Sequence, residues 1–178
     1  AGFFLVFYVA LRALSAVVSL PLEAQRWRAQ QKERAMYGAL MDALAHLMAG
    51  RYIRASKSAQ NALAQEKSLG VTTDTSGHPT GHSDALASQL RSLSNLLVAE
   101  SAQALQNKPL RNQHLQLALQ NSAARHAQEV REGVQFRAAR WALEDHDASA
   151  ALDWLGQLPL GASRRTLALR MKLRAARA

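Results

Sequence analysis

Two alanine pairs set twelve residues apart, Ala43 with Ala55 and Ala139 with Ala151, each straddle a short turn. This spacing limits the fold more than any other feature of the chain. It places a small residue near the end of one helix and another near the start of the next, so that the two backbones close in where they cross. The first turn reads Gly50-Arg51-Tyr52 and leads into Ala55, Ala59 and Ala62, a small-residue stripe at helical spacing. The second reads His146-Asp147 and leads into Ala151 and Leu155. The middle of the chain shows the period poorly. An ungapped reading puts Glu100 and Asn112 at its two small positions, and sets Asp42 and His46 in the first pair where large apolar residues belong.

Composition points the same way. Alanine, the best helix former, makes up roughly a fifth of the chain, and Ile53 is the single isoleucine. Strands favour β-branched residues, so a sheet is not expected. At 178 residues, 48% of them apolar, the chain can bury one core without staples. The expected class is all-α: an N-terminal membrane-exit helix, then antiparallel hairpins in a right-handed array resembling tetratricopeptide repeats.

Breakers place the elements. Pro21 suits a first helical turn. A long helix then runs to Gly50, with Leu40, Leu44, Leu47 and Met48 as an apolar stripe, and a second runs to Lys67. Residues 68–82, with three Gly and one Pro, read as a loop. Further hairpins are expected over 83–158. Pro159 and Gly161 stop the short helix before them, and Ser163 caps a last helix within 159–178 that begins the next repeat.

Residues 1–20 are largely apolar, with Arg12 the only charged residue. A bilayer crossing needs about 20 such residues. The run from Ala1 to Leu11 is too short alone, and it opens without an initiator Met. It is therefore expected to be the end of a longer span, with Arg12 near the interface. Residues 21–67 then hold a basic juxtamembrane helix and the first hairpin. Arg26, Arg28, Lys32 and Arg34 follow the span, with Trp27 among them as an interface anchor. Positive flanks mark the cytoplasmic side and attract anionic lipid. A buried helix of a soluble protein is the plainer alternative.

The ordered set LRALSAVVSLPLEAQRWRAQQKERA, LMAGRYIRASKSAQNAL, LLVAESAQAL and ALEDHDASAALDWLGQLPLGASRRTLALRMKLRAAR resembles the N-terminal region of HemY-type proteins of proteobacteria. An unrelated flavin oxidase has shared that name, and this chain has no glycine-rich dinucleotide fingerprint. The resemblance implies a bacterial inner-membrane protein whose tetratricopeptide array faces the cytoplasm. It also implies a link to tetrapyrrole (haem) biosynthesis with no established catalytic activity, and repeats that continue past this chain.

Sites of chemistry are sparse. With no cysteine, thiolate metal sites and Cys nucleophiles are excluded. No P-loop, GxGxxG or Ser/His/Asp ordering is present, so no catalytic or metal residue is assigned and an enzyme is not expected. No small-molecule substrate is expected either. The formal charge of +9 fits anionic partners. A soluble basic protein binding nucleic acid is one alternative, carried by Arg164, Arg165, Arg170, Lys172, Arg174 and Arg177; that cluster lacks aromatics for base stacking. Direct porphyrin or haem binding is another, with His46 beside Met41, Met48 and Tyr52. The leading expectation is a scaffold that recruits proteins, by the resemblance tetrapyrrole-pathway enzymes, and needs no cofactor. Tyr37, Leu40, Leu44, Met48 and Arg51 line its first groove. Ala43, Gly50, Tyr52, Ala55, Ala59, Ala139, Ala151 and Leu155 carry the packing between helices.

Overall fold

A computed structural model describes residues 8, 27, 30–73, 81–123 and 127–177. Every regular element among them is helical. Residues 30–48 lie in α1, followed by α2 (Tyr52–Thr73), α3 (Gly81–Ala104), α4 (Lys108–Asn121), α5 (Gln128–Glu144), α6 (Ala148–Gly156), α7 (Leu160–Ser163) and α8 (Thr166–Ala175). Among the described residues no helix is long and apolar enough to cross a membrane. The expected span over 1–20 lies outside them except for Tyr8.

Three tight turns pair the helices, α1 with α2, α3 with α4 and α5 with α6. Each turn is built around one left-handed residue: Gly50 (φ 71°), Gln106 (φ 57°) and His146 (φ 60°). Their N–H groups donate to the carbonyls of Leu47 (3.0 Å), Gln103 (3.0 Å) and Leu143 (3.3 Å). The next residues, Arg51, Asn107 and Asp147, donate to His46, Ala102 and Ala142, all at 2.8 Å. This double bond satisfies carbonyls that a helix end leaves orphaned. The residue after the turn then starts the second helix. Asn107 accepts from the Leu110 N–H at 3.2 Å and Asp147 from the Ala150 N–H at 2.9 Å. Arg51 has no acceptor to offer.

The turns set a common register. Seven residues before each left-handed position stand Ala43, Ala99 and Ala139, all fully buried. Five residues after it stand Ala55, Arg111 and Ala151. The middle hairpin therefore holds Ala99 and Arg111 at its small positions, one residue off the ungapped reading of Glu100 and Asn112. That reading slipped because nothing about Gln106 marks it as the residue that takes the left-handed conformation here. Nine residues after the turns lie Ala59, Leu115 and Leu155, all buried. Asp42 is exposed and His46 half-buried, so neither polar group is forced into the core.

The hairpins pack in chain order. Ala43 and Ala59 meet Val98 of α3. Val134, Ala138 and Trp141 of α5 then meet Ala99, Leu115 and Ala118. Beyond α6, Ala139, Leu155 and Leu158 meet Ala162 and Ala168.

Two expected boundaries move. α2 continues to Thr73, and α3 already includes Gly81 and His82, so the stretch expected as a loop over 68–82 is helical at both ends. No proline precedes Pro79 to stop α2. Extending an existing helix through Gly70 costs only about 1 kcal/mol. Nor does Ser163 cap the final helix. Its hydroxyl donates back to the Leu160 carbonyl (3.1 Å), while extended Arg165 precedes α8.

Candidate protein-docking face

The common register carries over to the surfaces of the first helices. Six residues before each turn residue stand Leu44, Glu100 and Arg140; two before it stand Met48, Ala104 and Glu144. Three before it stand Leu47, Gln103 and Leu143. These positions share one side of α1, α3 and α5. A recess of about 320 Å³ opens there, lined by Leu47, Glu100, Gln103, Ala104, Arg140, Trp141 and Glu144, with Tyr52 and Gln106 at its turn end.

The groove positions expected on α1 belong to this same side. Tyr37, Leu44, Met48 and Arg51 are exposed, and Leu40 is half-buried like its equivalents Leu96 and Phe136. Met41, at 64%, and Met48, at 84%, are among the most exposed apolar side chains described. Tyr37, Met41, Leu44 and Met48 recur at helical spacing and form one apolar stripe. Ala43, Ala55, Ala59, Ala139, Ala151 and Leu155 are fully buried between helices, and Tyr52 is half-buried at the edge of the recess.

From α1 to α5 the face changes character. On α3 and α5 it is polar and cross-braced. Arg137 bonds Glu100 at 2.5 Å, Arg140 bonds Glu144 at 2.9 Å, and Gln103 donates to Glu144 at 3.0 Å. Gln103 in turn accepts from Arg111 at 2.6 Å. The second carboxylate oxygen of Glu100 is the one buried side-chain polar atom without a hydrogen-bond partner among the described residues. The sequence reading missed Glu100, Gln103, Arg140 and Glu144 as parts of this face. Aligning Asn107 with Asp147, two helix caps in chemically equivalent turns, would have found them.

Arg111 ties the second and third hairpins together behind the recess. It is 7% exposed and reaches Asp145 at 2.9 Å, and its guanidinium lies 5.9 Å from the centre of the Trp141 ring. Lys108 approaches the other oxygen of Asp145 at 2.8 Å. The hydrogen bond from Lys108, followed by the bond and charge of Arg111, holds the Asp145 carboxyl below its ordinary range. Nearby, Asn95 donates to the Arg91 carbonyl, so its oxygen accepts from Nδ1 of His114 at 2.8 Å. Burial lowers the pKa of His114.

Other expected sites are placed as follows. Trp27 and Arg34 are exposed and Lys32 half-buried; Arg12, Arg26 and Arg28 lie outside the described residues. His46 is half-buried on α1, and its spacing from Met41 and Met48 puts it on a different side of the helix from those exposed residues. Among the described residues no three His, Asp or Glu side chains gather as metal ligands would. Arg164, Arg165, Arg170, Arg174 and Arg177 are exposed, and Lys172 is half-buried.

Residues 1–74 match a family model described as the HemY protein N-terminus. No curated protein and no solved structure matches the chain.

Proposed function

We propose that this chain, whose residues 1–74 match the model of the HemY protein N-terminus, is a membrane-anchored tetratricopeptide-like scaffold that recruits partner proteins in tetrapyrrole (haem) biosynthesis. The observation that carries the docking part is the shared face of α1, α3 and α5. Tyr37, Met41, Leu44 and Met48 stand exposed at one end, and the polar recess around Glu100, Gln103 and Glu144 continues the same side. An amphipathic helix or extended segment laid across three first helices buries its apolar residues at α1 and meets fixed hydrogen-bonding groups on α3 and α5. Arg51, Leu40 and Leu47 border the apolar end.

Thioethers suit such a surface. Met is flexible and polarizable and adapts to more than one partner shape. The charged end supplies specificity, since Arg140 and Glu144 already hold each other in fixed positions. The scaffold performs no chemistry of its own; it holds enzymes near one another at the membrane face. The anchor rests on the apolar residues 1–20 and on the basic residues that follow them, with the array on the cytoplasmic side of a bacterial inner membrane. The pathway rests on the family.

The test is capture from nuclease-treated membranes in mild detergent, with the full protein as bait. Enzymes of tetrapyrrole synthesis in the eluate, lost on Leu44→Asp with Met48→Asp, are the expected result. Recovery of the protein in the salt-washed soluble fraction with nucleic acid would contradict both anchor and scaffold.

A further inference from the structure

The second helices of the three hairpins carry a graded charge. Seven residues after each turn residue stand Lys57, Gln113 and Asp153, all exposed. The same position is thus basic on α2, neutral on α4 and acidic on α6. α6 itself contains no Lys or Arg.

α2 is the reverse. Opposite its buried stripe of Ala55, Ala59 and Ala62 it exposes Arg54, Lys57, Gln60, Asn61 and Lys67, along about 20 Å of helix. No acid lies on this arc. The one carboxylate of α2, Glu66, is turned to α3, where Arg91 donates to it at 2.9 Å. Among the described residues Arg54, Lys57 and Lys67 make no ion pair. Ile53, 73% exposed, stands beside Arg54 and Lys57. The arc also continues the basic stretch that follows the apolar N-terminus. Ala43 and Ala59 share one packed cluster and the two helices run antiparallel, so Lys67 lies near the level of Lys32 and Arg34.

We propose, on the anchored reading above, that the outer face of α2 lies on the anionic lipid headgroups of the bilayer, with Arg54, Lys57 and Lys67 against the phosphates and Ile53 between the headgroups. Basic clusters close to a membrane anchor are drawn to anionic lipid, and the long stems of Lys and Arg let their charges reach it. Repulsion of Asp153 lifts the third hairpin off the same surface. The arc lies across the first hairpin from Tyr37, Met41 and Leu44, so the protein-docking face is turned away from the lipid and stays open. A nucleic acid would meet the same charges but no aromatic side chain on the arc against which to stack a base.

The chain has no cysteine, so Asn61→Cys on the arc and Ala104→Cys in the recess each accept a single nitroxide. The full chain is reconstituted in phosphatidylcholine vesicles with and without phosphatidylglycerol. Collision of each label with a water-soluble nickel chelate is read by electron paramagnetic resonance. The label at position 61 is expected to be protected only where phosphatidylglycerol is present, and the label at position 104 in neither case. Arg54→Gln with Lys57→Gln is expected to lower the ratio of docked to free label about tenfold or more. Circular dichroism melts of each variant separate lost docking from lost folding. Equal exposure at position 61 in both vesicle types, with the chain still floating with them, would overturn the lipid face and leave the anchor standing. A chain that floats with neither would overturn both. Protection at position 61 by a DNA duplex without vesicles, equal to that by phosphatidylglycerol, would overturn the lipid assignment in favour of nucleic acid.

Discussion

Arg111 bonds Asp145 at 2.9 Å from the position in its hairpin that Ala55 and Ala151 occupy in theirs. A long charged side chain thus replaces a methyl group where helices cross. It does so by lying across Trp141 and reaching the C-terminal end of α5 while staying buried. The second and third hairpins are joined there by an ion pair in addition to their apolar contacts around Trp141.

Removing Arg111 therefore has a larger effect than removing its neighbour. Breaking a buried ion pair costs about 3–5 kcal/mol. Asp145 keeps Lys108 and some solvent, so Arg111→Ala is expected to lower stability by about 2 kcal/mol, within that mechanism. Lys108 is half-exposed, and Lys108→Ala is expected to cost under about 1 kcal/mol. Urea melts of both variants, with Asp145→Asn to close a double-mutant cycle, check the ranking.

This replacement also shows how far the sequence could be read. The outer hairpins were legible because alanine stands at both crossing positions of each and because Gly50 marks the first turn. The middle hairpin hid its register. Gln106 carries no turn signature, and Arg111 looks like a surface residue until Asp145, far along the chain, is brought beside it. The apolar end of the docking face, from Tyr37 to Met48, could be read from periodicity on one helix. Its polar end could not. Glu100, Gln103, Arg140 and Glu144 look like ordinary solvated charges, and only tertiary packing gathers them around one recess. The extension of α2 to Thr73 was missed because glycine content was weighed over the ease of propagating a helix already formed.

The three turns make a second prediction. A Cβ added at Gly50 meets nothing within 4 Å, so the cost of Gly50→Ala is backbone strain alone, about 1 kcal/mol. Gln106 and His146 already bear that strain. Gln106→Gly and His146→Gly are expected to stabilise by about 0.5 kcal/mol each, the gain being reduced by the greater freedom of glycine in the unfolded chain. Thermal melts of opposite sign at equivalent positions are the check.

Helix capping gives a third. Asp147→Ala removes the acceptor of the Ala150 N–H and is expected to cost about 1 kcal/mol. Arg51→Asn supplies the acceptor that the first hairpin lacks and is expected to add up to about 1 kcal/mol. Equilibrium unfolding of the two single variants measures both effects.

Stability is expected to fall with acid in two steps. His114 has a lowered pKa in the folded state, so the unfolded chain binds its proton first. Stability is full above the ordinary histidine value, near 6.5, and declines as pH drops from there toward the folded value. The Asp145 carboxyl is also lowered, and its contribution is present above the ordinary value near 3.8 and is lost as pH falls through the folded one. His114→Gln should flatten the upper step and Asp145→Asn the lower, as read from denaturant midpoints across pH.

The most direct test of the scaffold reading compares the wild-type protein with the Leu44→Asp, Met48→Asp variant as bait in membrane capture, with mass spectrometry of the eluates. Both side chains are exposed, so the variant is expected to match the wild type in stability to within about 0.5 kcal/mol. The account predicts that tetrapyrrole-pathway enzymes are enriched on the wild type and lost from the variant at equal bait recovery. Equal enrichment on both baits, or no pathway enzyme on the wild type, would contradict it.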